Sequence, residues 1–109
     1  MTTKDMQGQP PGRCENMAEV RAEIDRIDWV LVKLLSERQA YIERAAEIKS
    51  DRSAVRDVVR VEDVIAKVLA EARRLGLDGE IAEPVWRTLM ECSIAFEFKA
   101  FDARNQSSK

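Results

Sequence analysis

The sequence predicts an all-α chain, and three observations carry that prediction. Among 109 residues there are only four Gly and three Pro, while Ala, Glu, Arg, Leu and Val are abundant. Apolar residues recur at steps of three and four over most of the length, the period of one helix face. No stretch alternates apolar and polar residues as a half-buried strand would. The 45% apolar content can supply one core, and a chain of this length fits a single domain.

Residues 1–16 (MTTKDMQGQPPGRCEN) are polar and hold Gly8, Pro10, Pro11 and Gly12, so they read as a disordered leader. Asn16 is placed to cap the first helix, with Glu19 as the capping-box partner. From there Val20, Ile24, Ile27, Leu31, Leu34, Tyr41, Ala45 and Ile48 mark one stripe, uninterrupted by Gly or Pro from Met17 to Lys49. Residues 50–57 (SDRSAVRD) form a polar connection in which Ser53 or Asp57 caps the next helix. That second helix carries Val61, Val64, Ile65, Val68, Leu69, Ala72 and Leu75, and Gly76-Leu77 fits a Schellman ending. Asp78 can cap a third helix through Ile81, Val85, Trp86, Leu89, Met90, Ile94 and Phe101, although Pro84 leaves its start open. The domain is expected over 17–103, with a flexible tail at 104–109.

Several function classes fall away on composition. The sequence has no histidine, which removes Ser-His and Cys-His nucleophiles, imidazole acid–base chemistry and His-ligated metals. A net charge of −2 does not favour a nucleic-acid partner. Cys14 and Cys92 are 78 positions apart and read as free thiols of a reducing compartment. With no apolar signal core and no long uncharged apolar run, a cytoplasmic location and no membrane partner are expected.

Helix length has a geometric consequence. Thirty-three residues of helix span about 50 Å, whereas a compact globule of this chain length is roughly 35 Å across. A full-length apolar stripe therefore asks for a partner chain, most simply in a two-fold homodimer whose long helices share a core.

Charged residues interrupt the apolar register at a few places. Arg38 sits between Leu34 and Tyr41, as a snorkelling side chain, an internal ion pair or a pocket residue. Lys49, eleven residues on, lies about 20° away around the helix and so points to the same side. Ser93 and Glu97 are one turn apart on the third helix, with Glu97 in the stripe of Trp86, Met90 and Phe101. Glu97 is either a salt bridge to the Arg/Lys pair or part of a polar pocket. Asp57 and Arg60 flank the start of the second helix, where capping is the simplest reason for them. Arg21 lies about 25 Å from Arg38 along the helix and about 100° around it, so it would meet Arg38 only across a dimer. Two arginines and a lysine would make an electropositive cavity suited to a small dianion.

These residues resemble the all-helical chorismate mutase family. The segments that carry the likeness are VRAEIDRIDWVLVKLLSERQAYIERAAEIK, VRDVVRVEDVI and GLDGEIAEPVWRTLMECSIAFE, and it covers about residues 17–101. The resemblance implies an intertwined homodimer in which Arg38 and Arg21 of the partner subunit hold the substrate's two carboxylates. It also implies that Lys49 contacts the ether oxygen and a carboxylate, while Asp57 and Arg60 close the ring-hydroxyl side. Ser93 takes a carboxylate position, and Glu97 stands where the family usually has Gln as second donor to the ether oxygen. Val61 departs from the pattern, since a typical mutase has Glu immediately after the Arg60 position.

Isochorismate pyruvate lyases, relatives of that family, resemble the chain in EIDRID, Arg60-Val61 and GLD. The implied reaction, chorismate to prephenate, is pericyclic; it calls for no nucleophile, metal or redox cofactor, and none is expected. It calls for a compact conformer and for donors aimed at the charge developing on the ether oxygen. A protonated Glu97 would donate there and a carboxylate would repel, so acidic pH should favour turnover. The lyase reaction and a non-catalytic helical dimerisation module are the alternatives.

Overall fold

The structure, a computed structural model, describes residues 8–107. It is all-α: helices α1 (Met17–Ile48), α2 (Val58–Leu75) and α3 (Gly79–Ser107), with 3-10 turns at Pro11–Arg13 and Arg52–Ala54. Among the described residues there is no strand. The chain divides into two compact units, one up to Ala40 and one from Tyr41 onward, and α1 runs through both.

In the first unit α1 starts where its sequence signals place it. The Asn16 carboxamide oxygen accepts from the Glu19 N–H at 2.9 Å. The Glu19 carboxylate reaches back to the N–H of Glu15 at 3.0 Å, one residue earlier than a standard capping box. Where composition predicts a disordered leader, residues 1–7 lie outside the described residues and residues 8–16 are folded locally. Gln9 donates to the Arg13 carbonyl at 2.6 Å and to Glu19 at 3.3 Å. Gly8 lies so near the Glu23–Arg26 pair that a side chain there would collide with both. None of this unit's described residues is buried: Ile24, Ile27, Leu31 and Leu34 keep between 38% and 51% of their surface.

The second unit has a core. Ala46, Val55, Ile94 and Phe101 are buried together, with Val61, Phe98 and Ala100 packed against them. Ile65, Ala72, Ala82 and Met90 are buried as well, and α2 packs along α3. Asp57, rather than Ser53, caps α2 by accepting from the Arg60 N–H at 3.0 Å. Asp51 caps the intervening 3-10 turn through the Ser53 N–H at 2.9 Å. Gly76 takes the left-handed conformation (φ 78°), and Leu77 N–H returns to the Ala72 carbonyl at 2.8 Å, a Schellman ending.

Asp78 accepts from the Glu80 N–H at 2.8 Å, so α3 begins at Gly79 and passes through Pro84 in its second turn. The carbonyl that Pro84 leaves without its helical donor belongs to the exposed Glu80. At its other end α3 continues to Ser107, past the expected boundary at residue 103, and Arg104 stacks over the Phe101 ring at 5.5 Å. Cys14 and Cys92 are free thiols. Among the described residues no helix is long and apolar enough to cross a membrane.

Candidate active site

Lys49 is the first residue beyond α1, held by its N–H to the Ala45 carbonyl at 3.0 Å. Its ammonium donates to Glu97 Oε2 at 2.7 Å. The Glu97 side chain is only 6% exposed and that of Lys49 28%, so the carboxylate is buried and the ammonium faces partly outward. A carboxylate placed among Ile94 and Phe101 must be paired or neutral, because an isolated buried charge is expensive. Lys49 supplies that pairing. The sequence left an ion pair and a polar pocket open for Glu97, and the structure contains the ion pair.

Ser93, one turn before Glu97, donates its hydroxyl to the Leu89 carbonyl at 2.7 Å. Asp57 is occupied as the α2 cap, and Arg60 lies 3.3 Å from Asp63 on the surface. Arg21 is exposed and Arg38 half-buried, both within the first unit. Of the residues singled out in the sequence, the structure thus joins Lys49 directly to Glu97.

Other groups around this pair gave no local sequence signal. Arg104 donates to the Lys49 backbone carbonyl at 3.1 Å. Arg52 grips Asp102 with two hydrogen bonds at 2.9 and 3.2 Å, and its guanidinium lies 4.4 Å from the Phe98 ring centroid. The Asp102 carboxylate is held below its ordinary value by Arg52, whose own pKa is raised in return. These partners are 50 and 55 positions apart, with no register that marks them in advance.

A buried acid bound to a partly exposed ammonium can present two hydrogen-bond donors to an anionic oxygen once the acid is protonated. The described residues thus form an all-α domain whose one buried charge, Glu97, is paired with Lys49. The sequence matches the family description "chorismate mutase type II" over residues 20–98, and the chain belongs to that family. It is 29% identical over 89 residues to an isochorismate pyruvate lyase of Pseudomonas aeruginosa, covering 82% of this chain and 88% of that protein. It is also 30% identical over 80 residues to a bifunctional chorismate mutase/prephenate dehydratase of Buchnera aphidicola, covering 72% of this chain. The matched part is 21% of that longer protein.

Proposed function

We propose that the protein is a chorismate mutase that converts chorismate to prephenate in a site shared between two copies of the chain. The observation that carries this reading is the 2.7 Å pair of Lys49 and buried Glu97 within a chorismate mutase type II domain. In the rearrangement the ether C–O bond breaks as the new C–C bond forms, and negative charge builds on the ether oxygen. Lys49 meets that charge as an ammonium, and Glu97 stands beside it in the place of the second donor. Arg38 and Arg21 of the partner subunit hold the two carboxylates in the compact conformer, while Asp57, Arg60 and Ser93 complete the ring and carboxylate contacts. The reaction needs neither cofactor nor metal.

The homodimer is supported by the first unit, whose apolar side chains along α1 find no cover within it. An exposed stripe of this kind marks an interaction surface. The same helix pattern on a second copy offers the matching surface under two-fold symmetry. We read the protein as a cytoplasmic enzyme; among the described residues no helix is long and apolar enough to cross a membrane.

Isochorismate pyruvate lyase is the second reading, favoured by the Pseudomonas relative, 88% of which the chain matches, and by Val61 in place of a ring-binding Glu. Purified protein incubated separately with chorismate and isochorismate separates the two. Prephenate from chorismate is the expected product. Pyruvate and salicylate from isochorismate, with feeble turnover of chorismate, would assign the lyase reaction instead.

A further inference from the structure

The ammonium of Lys49 hangs on a flexible four-carbon stem, and the residue stands just outside α1. Its N–H bond to Ala45 fixes one side of its backbone. The other side is fixed from α3, where Arg104 donates to the Lys49 carbonyl at 3.1 Å. Three residues on, Arg52 is gripped at two points by Asp102 and lies over Phe98, the neighbour of Glu97. From α3, Glu97 therefore meets the tip of Lys49 and Arg104 its carbonyl, while Phe98 and Asp102 hold the side chain of Arg52 three residues on.

Exposed ion pairs of this kind contribute little to stability. Arg87 shows the same chemistry elsewhere on the molecule, paired with Glu62 at 2.9 Å and Glu83 at 2.8 Å. What sets Arg52, Asp102 and Arg104 apart is their place next to Lys49, the partner of the one charged residue buried among the described residues.

We infer that Arg52, Asp102 and Arg104 are positioning residues, which hold the backbone at Lys49 against α3 so that its ammonium meets Glu97 at a fixed distance. Two-point grip and ring stacking on Phe98 need the planar guanidinium of Arg52, whereas the Lys49 carbonyl needs only one donor. The catalytic consequence rests on the proposed mutase reading. The placement of Lys49 does not.

The test uses the full chain in wild-type form and as Arg52→Ala, Arg52→Lys, Arg104→Ala, Arg104→Lys and Arg87→Ala. One readout is the side-chain ammonium resonance of Lys49 in a 15N-labelled sample, assigned by its disappearance in Lys49→Ala. The other is the separation of kcat from KM on chorismate.

In wild type and Arg87→Ala the Lys49 signal should be sharp, because its ion pair slows proton exchange. It should broaden or vanish in Arg52→Ala and Arg104→Ala, return in Arg104→Lys, and stay lost in Arg52→Lys. kcat should follow the same order, about tenfold lower where the signal is lost and with KM little changed, as expected for misplacement of a reacting group.

An unaltered Lys49 signal in both alanine variants would overturn the inference, as would an equal loss in Arg87→Ala. If wild type turns over neither chorismate nor isochorismate, the functional reading fails while the resonance still decides the positioning.

Discussion

The two units of the chain share one helix and use it differently. From Tyr41 onward Ala46 of α1 is buried at 1% exposure in a core with Val55, Ile94 and Phe101. Up to Ala40, Leu31 and Leu34 of the same helix remain 49% and 38% exposed. Both stretches have the same three-and-four apolar spacing and the same freedom from Gly and Pro. Periodicity thus identifies the helix without identifying which side is covered: Tyr41 and Ile48 of the stripe remain 77% and 67% exposed, and the α1 residue buried in the second unit is Ala46 beside it. In the second unit α3 and Val55 cover Ala46; in the first, we propose, another copy of the chain covers Leu31 and Leu34.

Paired substitutions break this comparison most sharply. Phe101→Ala removes the largest side chain of the buried cluster and should cost about 3–5 kcal/mol in denaturant unfolding. Leu31→Ala should cost about 2–5 kcal/mol if a partner covers it, and no more than about 0.5 kcal/mol if it stays exposed. The dimer reading expects the larger figure, together with a wild-type Tm that rises with protein concentration.

Lys49 comes next in expected effect. Lys49→Ala should lower kcat about 10²–10³-fold, the usual consequence of removing one donor to a developing oxyanion. Stability should fall too, by about 1–3 kcal/mol, because Glu97 is left buried without its partner. Lys49→Ala combined with Glu97→Gln should recover much of that stability and none of the rate. Kinetics and thermal melts of the single and double variants check both halves.

The smallest effect is on the surface that joins α2 and its preceding turn to α3. Arg56 grips Glu91 at 2.9 and 3.0 Å, and Arg87 grips Glu62 at 2.9 and 3.1 Å. Arg56 and Arg87 hold Glu91 and Glu62 below their ordinary pKa of 4.5, as Arg52 holds Asp102 below 3.8. A depressed carboxylate pKa stabilises the fold above the ordinary value, and that contribution is lost as pH falls through the folded value. Unfolding followed from pH 6 downward should therefore show stability declining below about pH 4.5, more gently in Arg56→Ala than in wild type. The pairs are exposed, so the difference should be small.

Much of this was legible in the sequence. Asn16, Asp57, Asp78 and Gly76-Leu77 bound the helices because caps and left-handed turns are written in single residues. Lys49 and Glu97 stood out because charge in an apolar register is costly unless answered, and the structure places the answer at 2.7 Å. The reach of Glu19 to Glu15 rather than Asn16 was not legible, since the path of the leader decides it. Neither were Arg52–Asp102 and Arg104 on the Lys49 carbonyl, because surface charges separated by fifty residues carry no periodic trace. Pro84 obscured the start of α3, and the Asp78 cap resolves it.

The central claim, one site built from two chains, is tested most directly by subunit complementation. Arg21→Ala and Arg38→Ala should each give a folded dimer with little chorismate mutase activity. Mixing them under conditions that exchange subunits places half of the chains' pairings in heterodimers, each with one site that has both arginines. About a quarter of the wild-type rate should then return, as two-fold symmetry and random exchange require. Heterodimers verified by mass that recover no activity would contradict the shared site.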